Sequence, residues 1–243
     1  MKACIVIPAR FGSTRFPGKP LAKLKGKEII LHVAERASLS KEASSVIIAT
    51  DDDRIASIVK DAGYSVVMTS PLHQSGTDRV AEAVKSVDAM IVVNLQGDEP
   101  LIDPALIDES IIYMKKEKDT PVCTFKRAIE SEEELSNPNI VKVVTDKNNF
   151  ALYFSRFPIP YERKKERNFG SYYKHIGIYT FNKNFLQDFT AIAPTRLEIA
   201  EGLEQLRILE NGYRIKVLET TYNPLSIDTP EELDYVERIL SLK

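Results

Sequence analysis

The sequence predicts an α/β protein built on a mostly parallel sheet with helices on both faces. Short β-rich apolar runs alternate with helical patterns through the first half, as in successive βαβ units. The runs at residues 3–8, Val46–Ala49 and Met90–Asn94 read as buried strands of one kind. From about Pro121 the rhythm changes to longer extended runs, which predicts an antiparallel portion.

In chain order, the first strand is followed by a helix over Glu28–Ser38, with Ile29, Ile30, Val33, Ala34 and Ala37 at helical spacing. Helices are also expected over Arg54–Ala62 and Gly76–Val87, both ahead of the strand at Met90–Asn94. Asp103 as N-cap and Pro104 in the first turn predict a helix over Pro104–Lys116. Strands follow at Val122–Arg127, Ile140–Thr145, Ala151–Phe154 and Ile176–Phe181. The charged stretch Tyr161–Lys174 reads as an exposed loop, and the Glu132-Glu133-Glu134 run as a solvated helix face. Arg196–Glu210 is expected to be the longest helix, with Glu204 and Gln205 at its middle. A strand at Ile215–Leu218 precedes a last helix reaching Leu240, for which Asp228-Thr229-Pro230-Glu231-Glu232 supplies an N-cap, an early proline and an acidic first turn. There is no internal repeat, so residues 1–243 read as one domain.

Composition narrows the function. The chain has 243 residues, 43% hydrophobic and 28% charged, which excludes fibrous and disordered classes. Lys+Arg 33 against Asp+Glu 35 gives a net charge of −2, without the basic field that nucleic-acid binding relies on, so the expected partner is a small molecule. No stretch approaches the roughly 18 apolar residues that span a bilayer, and the opening run is too short for a secretory signal, so the expected location is the cytoplasm without membrane attachment. Cys4 and Cys123 lie in apolar strand-like runs and read as buried, reduced thiols.

Two places carry chemistry. After the first strand, the loop from Arg10 to Lys19 holds three cations, Arg10, Arg15 and Lys19, and two glycines. In an open parallel sheet, ligands bind beyond the carboxyl ends of the strands, so this loop sits where a polyphosphate would be held. Five residues rather than four separate Gly12 from Gly18, and Pro20 follows Lys19, so this is not a Walker A motif; GxGxxG is absent too. The second place is Asn94-Leu95-Gln96-Gly97-Asp98-Glu99, which puts a carboxylate at the end of a central strand. Beside a triphosphate, Asp98 would hold Mg²⁺, with a second carboxylate from elsewhere. Asp228 is the best candidate, with an N-cap as its alternative role. Asp51-Asp52-Asp53 reads instead as the acidic start of a helix.

These blocks, Ile7-Pro8-Ala9-Arg10 with Ser13-Thr14-Arg15-Phe16-Pro17-Gly18-Lys19, Ala49-Thr50-Asp51-Asp52, His73-Gln74-Ser75-Gly76-Thr77-Asp78-Arg79 and Asn94 to Pro100, together resemble the sugar-acid cytidylyltransferases. Ala151-Leu152-Tyr153-Phe154-Ser155-Arg156, His175-Ile176-Gly177-Ile178-Tyr179, Leu203-Glu204-Gln205-Leu206-Arg207 and Asp228-Thr229-Pro230-Glu231 extend the likeness over nearly the whole chain.

The resemblance implies a nucleotidyltransferase (Rossmann-like) sheet, with a sugar-binding and dimerisation extension within about 121–190. It implies transfer of CMP from CTP to the eight-carbon acid sugar 3-deoxy-manno-octulosonate (Kdo), releasing pyrophosphate for lipopolysaccharide biosynthesis, with Mg²⁺ as cofactor and a homodimer as the assembly. It assigns CTP binding to Ala9, Arg10, Arg15, Lys19, Ser75, Thr77 and Arg79. Catalysis goes to Lys19, Asp98 and Asp228, with metal binding at the two acids, and sugar binding to Gln96, Arg156, His175, Tyr179, Glu204 and Gln205. Arg156 suits a sugar carboxylate because its planar guanidinium pairs with both oxygens, with a surface ion pair as the alternative. A sialic-acid synthetase is the neighbouring possibility, against which the His175–Tyr179 and Glu204–Gln205 blocks argue. A silent nucleotide-binding module would be expected to lack Asp98, Asp228 or Lys19, and all three are present.

Overall fold

The computed structural model describes residues 1–12, 15–163 and 169–241. Strand β1 (Ala3–Ala9) lies at the heart of the fold. Its Ala3, Ile5, Ile7 and Ala9 pack into one core and its Cys4 and Val6 into another. Successive side chains of a strand point to opposite faces, so a run apolar at every position serves a sheet covered on both sides.

A small hairpin of β2 (Lys23–Leu24) and β3 (Lys27–Glu28) leads into α1 (Ile29–Ala37). Then come β4 (Ser45–Thr50), α2 (Asp53–Asp61), β5 (Ser65–Met68), α3 (Gly76–Ala83), β6 (Ile91–Asn94) and α4 (Pro104–Lys116). The second half contributes β7 (Val122–Ala128), α5 (Glu132–Ser136), β8 (Lys142–Thr145), β9 (Ala151–Ser155) and β10 (Tyr173–Asn182). It ends with α6 (Lys183–Thr190), α7 (Arg196–Glu201), α8 (Gln205–Glu210), β11 (Ile215–Glu219) and α9 (Pro230–Ser241).

The main sheet runs β11-β7-β10-β6-β1-β4-β5. Strands β6, β1, β4 and β5 are parallel neighbours, β10 runs antiparallel to both β6 and β7, and β11 is parallel to β7. Within 121–190, β7 and β10 therefore complete the central sheet, while the β8–β9 pair stands off it, joined through Lys142 opposite Lys174. Residues of α1, α2, α4 and α9 bury one face, and those of α3, α6 and α8 the other. The free thiols of Cys4 and Cys123 are both buried. Among the described residues, no helix is long and apolar enough to cross a membrane.

Four expectations are corrected. The helical pattern over Arg196–Glu210 is two helices, α7 and α8, because Gly202 adopts φ 62° and ends the first one. Glu204 and Gln205 thus open α8 rather than occupying mid-helix. The loop expected over Tyr161–Lys174 ends earlier: Tyr173 and Lys174 begin β10, and Lys174 is buried against Glu134 and Asn223. Residues 164–168 of that stretch lie outside the described residues. Finally, Thr229 rather than Asp228 caps α9, accepting from Glu232 N at 3.3 Å while Glu232 Oε2 accepts from Thr229 N at 3.1 Å. The reciprocal pair frees the Asp228 carboxylate.

Candidate active site

Strand β1 continues to β4 and β5 on one side and has β6 on the other, so the strand order reverses between β1 and β6. Such a reversal leaves a crevice at the carboxyl ends of the two strands. A cleft of about 310 Å³ opens there, lined by Ala9, Arg10, Arg15 and Lys19 from the end of β1 and the chain after it, and by Ser75, Gly76, Gln96, Asp98 and Asp228 from later in the chain.

Close backbone contacts shape it. After β6, Leu95 N donates to Val6 O at 3.0 Å, extending the pairing with β1 by one residue. The chain then crosses over Pro8: a Cβ on Gly97 would lie 3.0 Å from Pro8 O, and one on Gly76 would lie 3.3 Å from the Pro8 ring. Glycine at 97 lets the Asp98 loop reach the cleft. On the far side, Ile227 N donates to Asp98 O at 2.9 Å, docking the segment before α9 onto the same loop.

These contacts bring together three charged groups distant in sequence. Lys19 Nζ donates to Asp98 Oδ2 at 2.7 Å and to Asp228 Oδ1 at 2.8 Å, while Arg15 Nη2 lies 3.0 Å from Asp228 Oδ2. Burial raises the Asp98 carboxyl, an effect to which the Asp228 charge adds and which Lys19 opposes. At Asp228 burial also works against the charged form, but Lys19 and Arg15 outweigh it and hold the carboxyl below its ordinary range. Lys19 is raised: burial works against its charge and the two carboxylates more than offset that. Behind this group Glu99 is buried, with Tyr222 Oη donating to Glu99 Oε2 at 3.3 Å, and burial pushes its carboxyl up to about 7.

The residues assigned to CTP take three positions. Ala9 ends β1 and lines the cleft with Arg10, Arg15 and Lys19. Ser75 caps α3, accepting from Asp78 N at 3.1 Å, and reaches the wall with Gly76. Arg79 also reaches the wall but is buried, bonded to Thr69 Oγ1 and paired with Asp51 Oδ2 at 3.0 Å. Asp51 therefore serves Arg79, whereas Asp52 caps α2, accepting from Arg54 N at 3.0 Å. Thr77 points elsewhere, with its hydroxyl bonded to Glu204 Oε2. Ser13 and Thr14 lie outside the described residues.

The sugar-side residues divide likewise. Gln96 lines the cleft. His175, Tyr179 and Glu204 cluster behind it: the His175 and Tyr179 rings lie 5.3 Å apart, and burial raises Tyr179 first, with the Glu204 charge adding. His175 Nε2 lies 2.9 Å from Thr124 Oγ1, and burial lowers the imidazole to about 3. Gln205 is buried in the first turn of α8. Arg156 is not among the described residues lining the cleft; its guanidinium donates to the carbonyls of Glu201 at 2.7 Å, Pro138 at 3.0 Å and Gly202 at 3.3 Å.

Sequence reasoning missed Asn94, whose amide meets Thr77 at 3.2 Å. The signal was a polar residue closing the apolar run Ile91-Val92-Val93. His73 was also missed; it lines the cleft and pairs with Glu82 on α3.

A strand-order reversal bearing a cationic loop, faced by two carboxylates, defines a nucleotidyltransferase cleft. The chain belongs to the cytidylyltransferase family, whose sequence profile matches residues 4–216.

Within it, the chain is 52% identical to a 3-deoxy-manno-octulosonate cytidylyltransferase of Thermodesulfovibrio yellowstonii, over 99% of each chain. It is 48% identical to the enzyme of the same name from Geobacter metallireducens, over 99% of this chain and 98% of that one. The solved structure of a CMP:2-keto-3-deoxy-manno-octonic acid synthetase complexed with CTP superposes with a TM-score of 0.94 at 42% identity, covering 100% of this chain and 99% of that one.

Proposed function

We propose that this protein transfers CMP from CTP to the anomeric hydroxyl of Kdo, giving CMP-Kdo and pyrophosphate for lipopolysaccharide assembly. The observation that carries the reading is the convergence of Asp98, Asp228 and Lys19 on a cleft that Arg10 and Arg15 also line. Likeness to relatives named for the Kdo reaction supports the choice of sugar.

The transfer needs alignment and charge neutralisation more than covalent chemistry. Arg10 and Arg15 reach into the cleft on long stems and would take the outer phosphates. Lys19 is the group able to turn from the two carboxylates toward a phosphate oxygen, and would stabilise the departing pyrophosphate. Gln96, beside Asp98, and the His175–Tyr179–Glu204 group would hold the sugar behind the α-phosphate, with its hydroxyl aimed in line.

The residues present fit Mg²⁺. A cation, the Lys19 ammonium, already bridges Asp98 and Asp228, so two carboxylate oxygens face one point. Among the described residues no group of three or more His, Cys, Asp or Glu could hold a metal ion, and this pair is short of an all-protein cage. Mg²⁺ is bound in this way, by one or two carboxylates completed by substrate phosphates and water. When bound there, Mg²⁺ would polarise the α-phosphate and acidify the sugar hydroxyl.

A homodimer is supported by apolar side chains exposed on β9 and in the segment after it, Leu152 at 63%, Phe157 at 76% and Tyr161 at 89%. A cytoplasmic location suits an enzyme that takes CTP.

The test is pyrophosphate release from CTP, Mg²⁺ and a panel of acid sugars. Kdo is expected to be the preferred acceptor, and Asp98→Asn to abolish release while CTP still binds. Turnover without a divalent ion, full activity in the variant, or a preference for sialic acid would refute the reading.

A further inference from the structure

We propose that Thr77 and Asn94 are positioning residues for the acid sugar: they form a buried relay that grips one oxygen of Glu204 and leaves the other for sugar hydroxyls. The proposal rests on the function given above and adds residues to its sugar side.

The relay joins three elements. Asn94, the last residue of β6, donates from Nδ2 to Thr77 Oγ1 at 3.2 Å, and Thr77, in the first turn of α3, donates its one hydroxyl proton to Glu204 Oε2 at 2.5 Å. Glu204 stands at the start of α8. Asn94 and Thr77 are 1% and 5% exposed, so water does not compete for these bonds. Burial raises the Glu204 carboxyl, and the Thr77 hydroxyl opposes that shift.

What the relay leaves over identifies the ligand. Asn94 Oδ1, Tyr179 Oη and Glu204 Oε1 are all buried without a hydrogen-bond partner among the described residues. Tyr179 sits directly opposite Asn94 in the β10–β6 register, and so belongs to the same spot. A buried polar atom left without a partner is costly, so these three point to a ligand that satisfies them. An amide oxygen and a carboxylate oxygen accept hydrogen bonds, and a phenol can donate or accept. Two unpaired acceptor oxygens side by side disfavour the acceptor oxygens of a phosphate and suit a group rich in hydroxyl donors, as a polyol is. Thr77 accordingly serves the sugar through Glu204, although its place in the 75–79 block suggests a nucleotide contact.

The experiment compares wild type, Thr77→Val and Thr77→Ser in the pyrophosphate assay, and measures CTP affinity of each by calorimetry without sugar. Thr77→Val keeps the shape and removes the hydroxyl. It is expected to raise KM for Kdo about tenfold, as loss of one hydrogen bond to a charged group does, with CTP affinity unchanged; Thr77→Ser is expected to restore the KM. If Thr77→Val fails to fold, as judged by circular dichroism, Thr77→Ala carries the same comparison. A loss of CTP affinity with an unchanged Kdo KM would make Thr77 a nucleotide ligand and overturn the relay, as would equal defects in the Val and Ser variants, or none. Wild type inactive on Kdo overturns the function itself and the relay with it; wild type active on Kdo beside an unaffected Thr77→Val overturns the relay alone.

Discussion

The guanidinium of Arg54 lies 3.4 Å above the centre of the Phe11 ring. Gly18 presses the same ring, where a Cβ would come within 3.1 Å of it, and Gly18 N donates to Phe11 O at 2.9 Å. Asp52 holds the guanidinium in a fork, accepting at 3.0 and 2.6 Å. The cationic loop is thereby braced against the start of α2. An exposed cation–π contact contributes ~0.5–1 kcal/mol, so Phe11→Ala is expected to raise KM for CTP roughly threefold to fivefold, with Phe11→Tyr near wild type in steady-state kinetics.

Because Thr229 caps α9 and Asp228 faces Lys19, stability and catalysis should separate at adjacent residues. Thr229→Ala is expected to cost about 1 kcal/mol in urea unfolding, the usual cost of a lost cap, with kcat largely kept. Asp228→Asn is expected to do the reverse, losing turnover in the pyrophosphate assay while remaining folded.

Gly97→Ala tests the crossing over β1. Its methyl would meet a backbone carbonyl, Pro8 O, at 3.0 Å, and backbone yields less readily than a side chain. The variant is expected to lose about 1–3 kcal/mol of stability, as overpacked sites do, and to lower kcat by displacing Asp98. Denaturant melts and initial rates read the two effects.

Two buried groups tilt stability in opposite directions with pH. The Glu99 carboxyl is pushed up to about 7 by burial, from 4.5, so the folded state keeps a proton that the unfolded chain releases, and stability is lost as pH rises through this window. His175 is lowered by burial to about 3, from 6.5, so stability is lost as pH falls from 6.5 toward 3. Each slope is at most about 1.4 kcal/mol per pH unit. Between 4.5 and 6.5 they oppose each other, and wild type should respond weakly from these two groups. Glu99→Gln is expected to unmask a rise in stability with pH over that window, measured by urea unfolding at a series of pH values.

Strands β1, β4 and β6 and helix α4 were legible because each carries its own local signal: apolar runs, or Asp103 and Pro104 at a helix start. Strand β5, four partly or fully exposed residues at the sheet edge, has no such signal. Gly202 was visible in the sequence, yet the apolar periodicity of Arg196–Glu210 runs across it. Lys19 and Asp98 announced themselves by residue type and position after a strand. Asp228 could only be one of two things, since a carboxylate before a helix caps or coordinates by the same local pattern.

The linear order of residues by itself determined the buried strands, the cationic loop and the acid at the end of β6, because backbone propensity, burial of alternate side chains and charge density are local properties. Tertiary structure decided which distant groups meet. Asp228 reaches Lys19 across 209 residues because Ile227 docks on Asp98. Thr77 turns to Glu204, and Arg156 is held by the carbonyls at the end of α7. A hydroxyl or guanidinium has several partners equally acceptable to its chemistry, and only the packing of sheet and helices sets which one lies within bonding distance.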